Sequence, residues 1–142
     1  MGLDMYLTKK TYVWSDLREK IKIEGIPGIK PERVKEIAEE IGYWRKANAI
    51  HNWFVQNVQK GIDECQESYV NKDSLKKLLE IVNEVLANPK RAEELLPNAT
   101  GFFFGSQEYD KYYFDDLKDT KSILEKALEE SENSGFYYQS SW

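Results

Sequence analysis

Four side chains that could recognise a small polar molecule lie close together near the middle of the chain. They are Trp44, Arg45, Asn48 and His51, and Asn52 follows them directly. An indole ring can stack on a nucleobase, and a guanidinium group can hold a phosphate through paired hydrogen bonds. An amide can bond to the edge of a base, and an imidazole can donate to an oxygen. These residue types therefore predict a binding site for a nucleotide-like ligand.

Residues 42–58, which contain this group, have the periodicity of a helix that packs one face on a core. The core-facing side comprises Tyr43, Ala47, Ile50, Phe54 and Val58. This is the spacing of successive helical turns, and the candidate binding groups fall on one shoulder of that side. We therefore expect a helix over residues 42–58 that presents the site along one edge.

The same residues have a second interpretation, as a polar seam inside the core. Buried tryptophan and histidine side chains usually bond to neighbouring groups through their ring nitrogens. Trp44 and His51 would then be packing residues whose polar tips satisfy each other. The sequence leaves both interpretations open.

A second candidate group precedes the last long helix. Ser106 follows a glycine, and we place it at the start of that helix, where free backbone amides can hold an anion. Simple capping of the helix by the Ser106 hydroxyl is the alternative. Glu108 and Asp110 would then lie in the first turn, near the positive end of the helix dipole. We include Ser106 and Tyr109 among the predicted ligand-binding residues.

Catalysis is a weaker interpretation of the sequence. The one available set of base, nucleophile and acid is His51, Cys65 and Asp110, and no nucleophile elbow or Cys-x-x-Cys motif surrounds these residues. Metal binding by His51 with nearby acids lacks the spacing of known ligand sets. We therefore predict no catalytic residue, no metal and no cofactor.

The composition is that of a folded, acidic protein. The 142 residues carry a formal net charge of −5, and 41% of them are hydrophobic and 32% charged. A chain of this length is predicted to form a single domain over residues 1–142 that needs no disulfide or metal for stability. Because the net charge is acidic, we do not expect non-specific binding to a nucleic-acid backbone.

Aromatic residues are more numerous than one small core can hide. The chain contains nine tyrosines and four tryptophans, and protein interfaces select such side chains. A homo-oligomer or a protein target is therefore an alternative to a small ligand. Acidic pairs such as Asp115 and Asp116 are predicted to lie on solvated faces.

The sequence favours a cytosolic location. Cys65 is the single cysteine, so a disulfide framework is not expected. The first ten residues, MGLDMYLTKK, lack the basic and apolar regions of a signal peptide. Since no apolar run reaches the length of a bilayer span, we expect no membrane partner.

The first part of the chain alternates between strand and loop signals. Residues 5–14 are rich in β-branched and aromatic types and predict an opening strand. Residues 15–20 suit one helical turn, residues 21–23 a second short strand, and residues 25–28 a loop with two glycines and a proline. Residues 31–41 fit either a helix begun by Pro31 or a strand paired with the first.

The second part predicts mainly helices. Residues 68–70 suggest a brief strand, and Asp73 or Ser74 is placed as the cap of an amphipathic helix that stops before Asn88. Residues 89–96 suggest a short helix, and residues 101–105 a buried aromatic strand. A long helix follows Ser106.

The aromatic end of the chain completes the predicted fold. Residues 136–142 are costly to expose and are expected to form a final strand beside the first one. The fold class is therefore α+β: a small, mostly antiparallel sheet that includes both chain ends, packed against three principal helices.

Four stretches carry a resemblance to a known family. They read MGLDMYL, GYWRKANAIHNWFVQNVQ, GFFFGSQEYDKYYFDDLK and FYYQSSW. Their combination resembles a family of small proteins found in phages and prophages. The resemblance implies a setting rather than catalytic residues: the bacterial host cytoplasm, and accessory phage work such as counter-defence or host takeover.

Three functions follow, in order of preference. The first is non-catalytic sequestration of a nucleotide-derived small molecule. The second is inhibition of a host defence protein by direct contact, and the third is a small hydrolase-like activity.

Overall fold

The computed structural model describes residues 2–99, 106–130 and 135–142. Within them, one antiparallel sheet is formed by β1 (Asp4–Tyr12), β2 (Glu36–Arg45), β3 (Ser68–Val70) and β4 (Gly135–Ser141). The strand order is β2-β1-β4-β3, so the strands nearest the two ends of the chain are neighbours at the centre of the sheet. The predicted α+β class, with a small antiparallel sheet that includes both chain ends, is confirmed.

Five helices lie between the strands in the described residues. They are α1 (Ser15–Arg18), α2 (Asn48–Asn57), α3 (Lys72–Ala87), α4 (Ala92–Leu95) and α5 (Lys111–Leu128), with 3₁₀ turns at Pro31–Arg33 and Pro89–Arg91. The helices α2, α3 and α5 are the long ones. Each buries a stripe of residues at helical spacing, as amphipathic helices on a core do.

The core lies between the sheet and the three long helices. Met5 and Leu7 of β1 alternate with partly exposed neighbours and are fully buried, as expected for a strand with one face on a core. The rings of Phe54 on α2 and Tyr138 on β4 stack with centroids 4.0 Å apart and planes within 6°. This stack joins the central helix to the centre of the sheet.

The predicted helix over residues 42–58 is wrong in its first part. The strand β2 continues to Arg45, and α2 begins three residues later. In β2, Tyr43 is exposed and Trp44 is buried, and pairing with β1 stabilises this alternation. Lys46 then adopts a left-handed φ of 55°, which turns the chain from strand into helix.

The ambiguous residues 31–41 contain parts of both predicted elements. Pro31–Arg33 forms one 3₁₀ turn, and β2 begins at Glu36 and pairs with β1. The predicted strand at residues 21–23 is wrong, because β2 and β4 already occupy the two edges of β1. The predicted loop over residues 25–28 is confirmed, with both of its glycines at positive φ.

The third strand and the helix after it lie where the sequence places them. The strand Ser68–Val70 and the end of α3 before Asn88 are confirmed. The predicted cap of α3 is wrong by two or three residues, since the Asn71 side chain accepts the hydrogen bond of the Ser74 amide. The predicted helix at residues 89–96 is a 3₁₀ turn followed by the short α4.

The last helix begins later than predicted. Asp110, and not Ser106, is its cap, because Asp110 Oδ1 accepts a hydrogen bond from the Tyr113 amide at 3.2 Å. Glu108 therefore precedes α5 instead of lying in its first turn. The final strand is confirmed, as β4 pairs with β1. The strand predicted at residues 101–105 lies outside the described residues.

Candidate ligand-binding site

A cavity of about 390 Å³ opens where the end of β2, the start of α2 and the start of α5 meet. This volume lies within the usual range for small-molecule sites. Fourteen described residues line it: Arg45, Lys46, Ala47, Asn48, Ala49, Ile50, Asn98, Ser106, Glu108, Asp110, Tyr112, Tyr113, Asp116 and Leu117. The adjacent ends of β2 and α2 thus supply one part of its walls, and the start of α5, more than 50 residues later in the chain, supplies another.

One wall of the cavity is basic. Arg45 and Lys46 are exposed, and neither side chain forms a hydrogen bond or an ion pair with another described residue. A Cβ atom placed on Gly2 would lie 3.4 Å from Lys46 Cε and 3.5 Å from an Arg45 guanidinium nitrogen. The two cationic side chains therefore run side by side past Gly2, and both charges are available to a ligand.

The start of α2 adds to the positive potential of this wall. The N-cap of α2 is Ala47, which has no side-chain acceptor, and its first turn has no acidic residue. The starts of α3 and α5 differ, because Asn71 and Asp110 cap them. The first amides of a helix have no partner within the helix and carry the positive end of its dipole. An anion at the α2 start would meet these amides together with Arg45.

The opposite wall is acidic and comes from α5 and the residues before it. It contains Glu108, Asp110 and Asp116. Burial, with smaller contributions from Asp119, Asp115 and Asp110, raises the pKa of Asp116 to about 7. Asp116 therefore exchanges its proton near neutral pH, and can either donate or accept a hydrogen bond there. Asp116 is half-buried, so the predicted solvated face is only partly exposed at this position.

An aromatic ring stands at the rim of the cavity. Tyr112 lines it, and 75% of its surface is exposed. The adjacent Tyr113 is buried, and its hydroxyl donates to the Leu96 carbonyl at 2.8 Å. Helix α5 thus presents one tyrosine to the core and the next to the cavity mouth.

Of the predicted site residues, Arg45, Asn48 and Ser106 line this cavity. The Asn48 side chain is clamped to Ala99, because each end of its amide forms a 2.7 Å hydrogen bond with the Ala99 backbone. This clamp holds the chain after α4 against the start of α2. Ser106 is exposed, and its hydroxyl accepts a hydrogen bond from the Glu108 amide at 3.1 Å.

Trp44 lies behind the cavity and does not line it. Its side chain is 4% exposed, and Nε1 donates to Thr120 Oγ1 at 2.8 Å. The ring also contacts Phe54 edge to face. Trp44 therefore has no open face on which a nucleobase could stack.

His51 belongs to a different, buried cluster. Its Nδ1 lies 2.6 Å from the Tyr138 hydroxyl and its Nε2 lies 3.0 Å from Asp63 Oδ2. Asp63 Oδ1 also accepts a hydrogen bond from Trp142 Nε1 at 3.0 Å. Burial raises the pKa of Tyr138 well above its ordinary value, so this hydroxyl stays protonated and can donate to His51. With the Tyr138 hydroxyl donating to Nδ1, the Nε2–H of His51 donates to Asp63 Oδ2.

Asn52 and Tyr109 do not line the cavity either. The Asn52 amide donates to the Pro97 carbonyl at 3.3 Å, beside a smaller cavity of about 170 Å³. The Tyr109 hydroxyl accepts from the Asn98 amide at 3.2 Å, and its ring meets Tyr113 edge to face. Tyr109 therefore positions Asn98, which does line the cavity.

The structure does not assemble the set of His51, Cys65 and Asp110, although it does bring His51 to Asp63, an acid near it in the sequence. Asp110 caps α5 beside the cavity, whereas His51 bonds to Asp63 and Tyr138 in the separate cluster. Across the described ranges, no three or more His, Cys, Asp and Glu side chains are arranged to hold a metal ion. None of the helices in the part that the structure describes is long and apolar enough to cross a bilayer.

Several polar and aromatic residues that line the cavity are absent from the predicted site residues: Lys46, Asn98, Glu108, Asp110, Tyr112 and Asp116. Lys46 could have been found from its position beside Arg45. Asp116 could have been found from its helical spacing, since it precedes the buried Thr120 of α5 by four positions. Comparison of the chain with models of protein families, with curated proteins and with solved structures gave no match.

Proposed function

We propose that this protein binds a small anionic, nucleotide-like ligand in the cavity and releases it unchanged. The observation that carries the proposal is the basic wall, where Arg45 and Lys46, which form no hydrogen bond or ion pair with a described residue, stand beside the start of α2, whose N-cap Ala47 has no side-chain acceptor. Helix starts with free amides bind phosphate, and arginine adds paired, charge-assisted hydrogen bonds.

The two unlike walls suit a ligand with two unlike ends. A phosphate would lie at the α2 start, next to Arg45. Ribose hydroxyls and base amino groups are hydrogen-bond donors, and they would face the carboxylates of Glu108 and Asp110 across the cavity. Inorganic phosphate alone would use only the basic wall and would bind more weakly.

In this proposal the base of the ligand stacks on the ring of Tyr112, whereas the sequence predicts that it stacks on Trp44. Tyr112 lines the cavity and is mostly exposed, so a base can lie against it without rearrangement of the core. Stacking of this kind contributes about 1–3 kcal/mol per base.

Binding without turnover is favoured over catalysis by the lining residues. Those that the structure describes include neither histidine nor cysteine, and the Ser106 hydroxyl bonds to the Glu108 amide rather than to a base that could activate it as a nucleophile. Asp116, with a pKa of about 7, is the single observation that favours an enzyme, since it could act as a general acid or base.

The biological setting of the proposal comes from the family resemblance. A phage protein that holds a nucleotide-derived signal would remove it from a host defence pathway in the bacterial cytoplasm. This role needs affinity and capacity but no chemistry.

Calorimetric titration with AMP, ADP, cyclic AMP and inorganic phosphate tests the proposal. We expect the nucleotides to bind more tightly than phosphate, with a Kd of about 1 μM or lower for the best of them. Replacing Arg45 and Lys46 together by alanine should weaken binding by about 10- to 100-fold, as expected for lost hydrogen bonds to a charged group. The matched control is Lys118→Ala, because Lys118 is exposed on α5 and does not line the cavity.

Mass spectrometry after heat denaturation separates sequestration from catalysis. A binding protein returns the nucleotide with its original mass, and an enzyme returns an altered one. Equal affinity in the Arg45→Ala, Lys46→Ala double variant and in the Lys118→Ala control would contradict the proposed site.

A further inference from the structure

A second cavity lies at the other end of β2 from the first and is mainly apolar. It has a volume of about 900 Å³ and is formed by the segment that connects β1 to β2 and by the first residues of β2. Its apolar lining consists of Ile21, Ile23, Ile26, Ile29, Val34 and Ile37. We name this feature the isoleucine groove.

Exposed apolar side chains are concentrated in the segment that forms this groove and in the residues just before it. Of the eleven large hydrophobic residues that are exposed in the described part of the chain, six lie between residues 12 and 37: Tyr12, Trp14, Leu17, Ile26, Ile29 and Ile37. Ile26 is 62% exposed. Single exposed hydrophobics are ordinary on a protein surface, but a concentration of them in one segment indicates an interaction site.

Hydrogen bonds of the backbone and of one arginine side chain hold the walls of the groove in place. The β1–β2 ladder pairs Tyr12 with Glu36, and the Val13 amide donates to the Lys35 carbonyl at 2.8 Å. The Arg33 guanidinium donates to the Gly28 carbonyl at 3.0 Å and closes the loop between them. The groove is therefore a built surface at the end of a β-ribbon.

The charges on the groove have the opposite sign to the protein as a whole. Four basic residues and two acidic ones line it: Lys22, Lys30, Arg33, Lys35, Glu24 and Glu36. None of the four basic side chains forms an ion pair with a described residue. The lining thus carries two positive charges in excess on a chain whose net charge is −5. Acidic partners are attracted to such a surface, and basic ones are repelled.

The same charges argue against a second copy of this chain as the occupant. A two-fold symmetric dimer places the same patch on both subunits, so groove would face groove. Each subunit would then present its excess positive charge to the other. Like charges across an interface cost binding free energy.

We propose that the isoleucine groove binds an acidic, amphipathic segment of another protein. The apolar side chains of that segment lie between Ile26 and Ile29, and its carboxylates face Lys30 and Arg33. Helix-in-groove recognition of this kind uses apolar anchors at helical spacing for affinity and flanking charges for selectivity. The groove is separate from the proposed nucleotide site, so failure of one proposal would not contradict the other.

Fluorescence anisotropy with three labelled synthetic helical peptides tests this proposal. The first peptide has leucines on one face and glutamates beside them, the second has lysines in place of the glutamates, and the third has serines in place of the leucines. We expect the first peptide to bind and the other two to bind at least about tenfold more weakly. High salt should weaken the first complex by about tenfold, because its charges are exposed.

Variants of the protein locate the binding surface. Changing Ile26 and Ile29 together to aspartate should abolish peptide binding, and both positions are exposed, so the fold should be retained. Tyr69→Asp is the matched control, because Tyr69 is 60% exposed and lies outside the groove. Circular dichroism and nucleotide titration should be unchanged in the Ile26→Asp, Ile29→Asp variant.

Three outcomes would overturn the proposal. Equal binding of the glutamate and lysine peptides would show that charge plays no part. Absence of binding by the glutamate peptide would show that the groove does not accept such a helix. A dimer that light scattering detects for the native protein and not for the Ile26→Asp, Ile29→Asp variant would identify a second copy as the occupant.

Discussion

The indole nitrogen of Trp44 donates a hydrogen bond to Thr120 Oγ1 at 2.8 Å, and the Thr120 hydroxyl donates in turn to the Asp116 carbonyl. Strand β2 is thereby joined to α5 inside the core. Because Arg45 and Asp116 stand on the two walls of the cavity, this bond also links the strand that carries the basic wall to the helix that carries Asp116.

Loss of the Thr120 hydroxyl should destabilise the protein. Thr120→Val keeps the shape of the side chain but leaves the buried Trp44 N–H without an acceptor, so we expect a loss of about 1–3 kcal/mol in the free energy of unfolding. Thr120→Ser keeps the hydroxyl and should lose less. Urea denaturation of the three proteins measures both effects, and equal stability of the Val and Ser variants would show that the hydrogen bond contributes nothing.

The His51 cluster should affect stability and leave ligand binding unchanged. Tyr138→Phe removes the hydroxyl that bonds to His51 Nδ1 in a fully buried setting, and we expect a loss of about 1–3 kcal/mol. His51 does not line the cavity, so nucleotide affinity should stay within about twofold. A folded Tyr138→Phe protein that binds the nucleotide more than about tenfold less tightly would place His51 in the ligand site after all.

Ligand affinity should depend on pH through Asp116. Its pKa is about 7, so it is mainly neutral at pH 6 and mainly charged at pH 8. A negative Asp116 repels a phosphodiester, whose own charge is constant in this range. We therefore expect affinity for cyclic AMP to fall as the pH rises, and to be nearly constant in Asp116→Asn. A steep pH dependence that persists in Asp116→Asn would assign the effect to another group.

The stability of the protein should depend on pH in the same direction. The pKa of Asp116 is raised from 3.8 in the unfolded reference to about 7 in the folded protein. Between these values the folded state holds a proton that the unfolded state has released, so stability decreases as the pH rises through this window. Asp116→Asn removes this decrease. After allowance for solvent screening, we expect its melting temperature at pH 8 to exceed that of the native protein by about 3 °C.

Close packing of β2 on α5 requires a glycine in the strand. A Cβ atom on Gly42 would lie 2.4 Å from Ile123 Cγ2, so Gly42→Ala should cost about 1–3 kcal/mol through overpacking. Combining it with Ile123→Ala makes room for the new methyl group. Thermal denaturation should therefore show that the double variant loses less stability than the two single variants lose when their losses are added. Simple additivity would show that the backbone accommodates the methyl group by itself.

Much of the fold could be predicted because hydrophobic patterns are strong in the paired elements. The alternation around Met5 and Leu7 identifies β1, and the leucine spacing of α3 identifies that helix. The aromatic end of the chain could be assigned to a strand because its burial is favourable wherever it docks. These features depend on local sequence and on the hydrophobic effect alone.

The errors occur where one residue decides between two patterns. Tyr43 and Ala47 have helical spacing by coincidence. The true boundary between strand and helix is the left-handed turn at Lys46, and a lysine in a sequence does not indicate such a conformation. At α5, both Ser106 and Asp110 are good cap residues, and tertiary contacts favour the later start because Tyr109 bonds to Asn98.

The candidate site was predicted only in part for the same reason. Arg45 and Asn48 line the cavity, but the shift from helix to strand buries Trp44 and separates His51 from them. Asp116 could not be identified as a titrating group from the sequence, because burial in the folded protein raises its pKa. Helical spacing does not indicate how deeply a side chain is buried by other parts of the chain.

An NMR titration of isotope-labelled protein with the best-binding nucleotide tests the central proposal most directly. We predict that the largest amide shift changes fall at residues 45–50 and 112–117, with Ala49 and Ile50 among them because their amides stand at the α2 start. Shift changes confined to the surroundings of His51 and Asp63, or to the isoleucine groove, would contradict the proposed site.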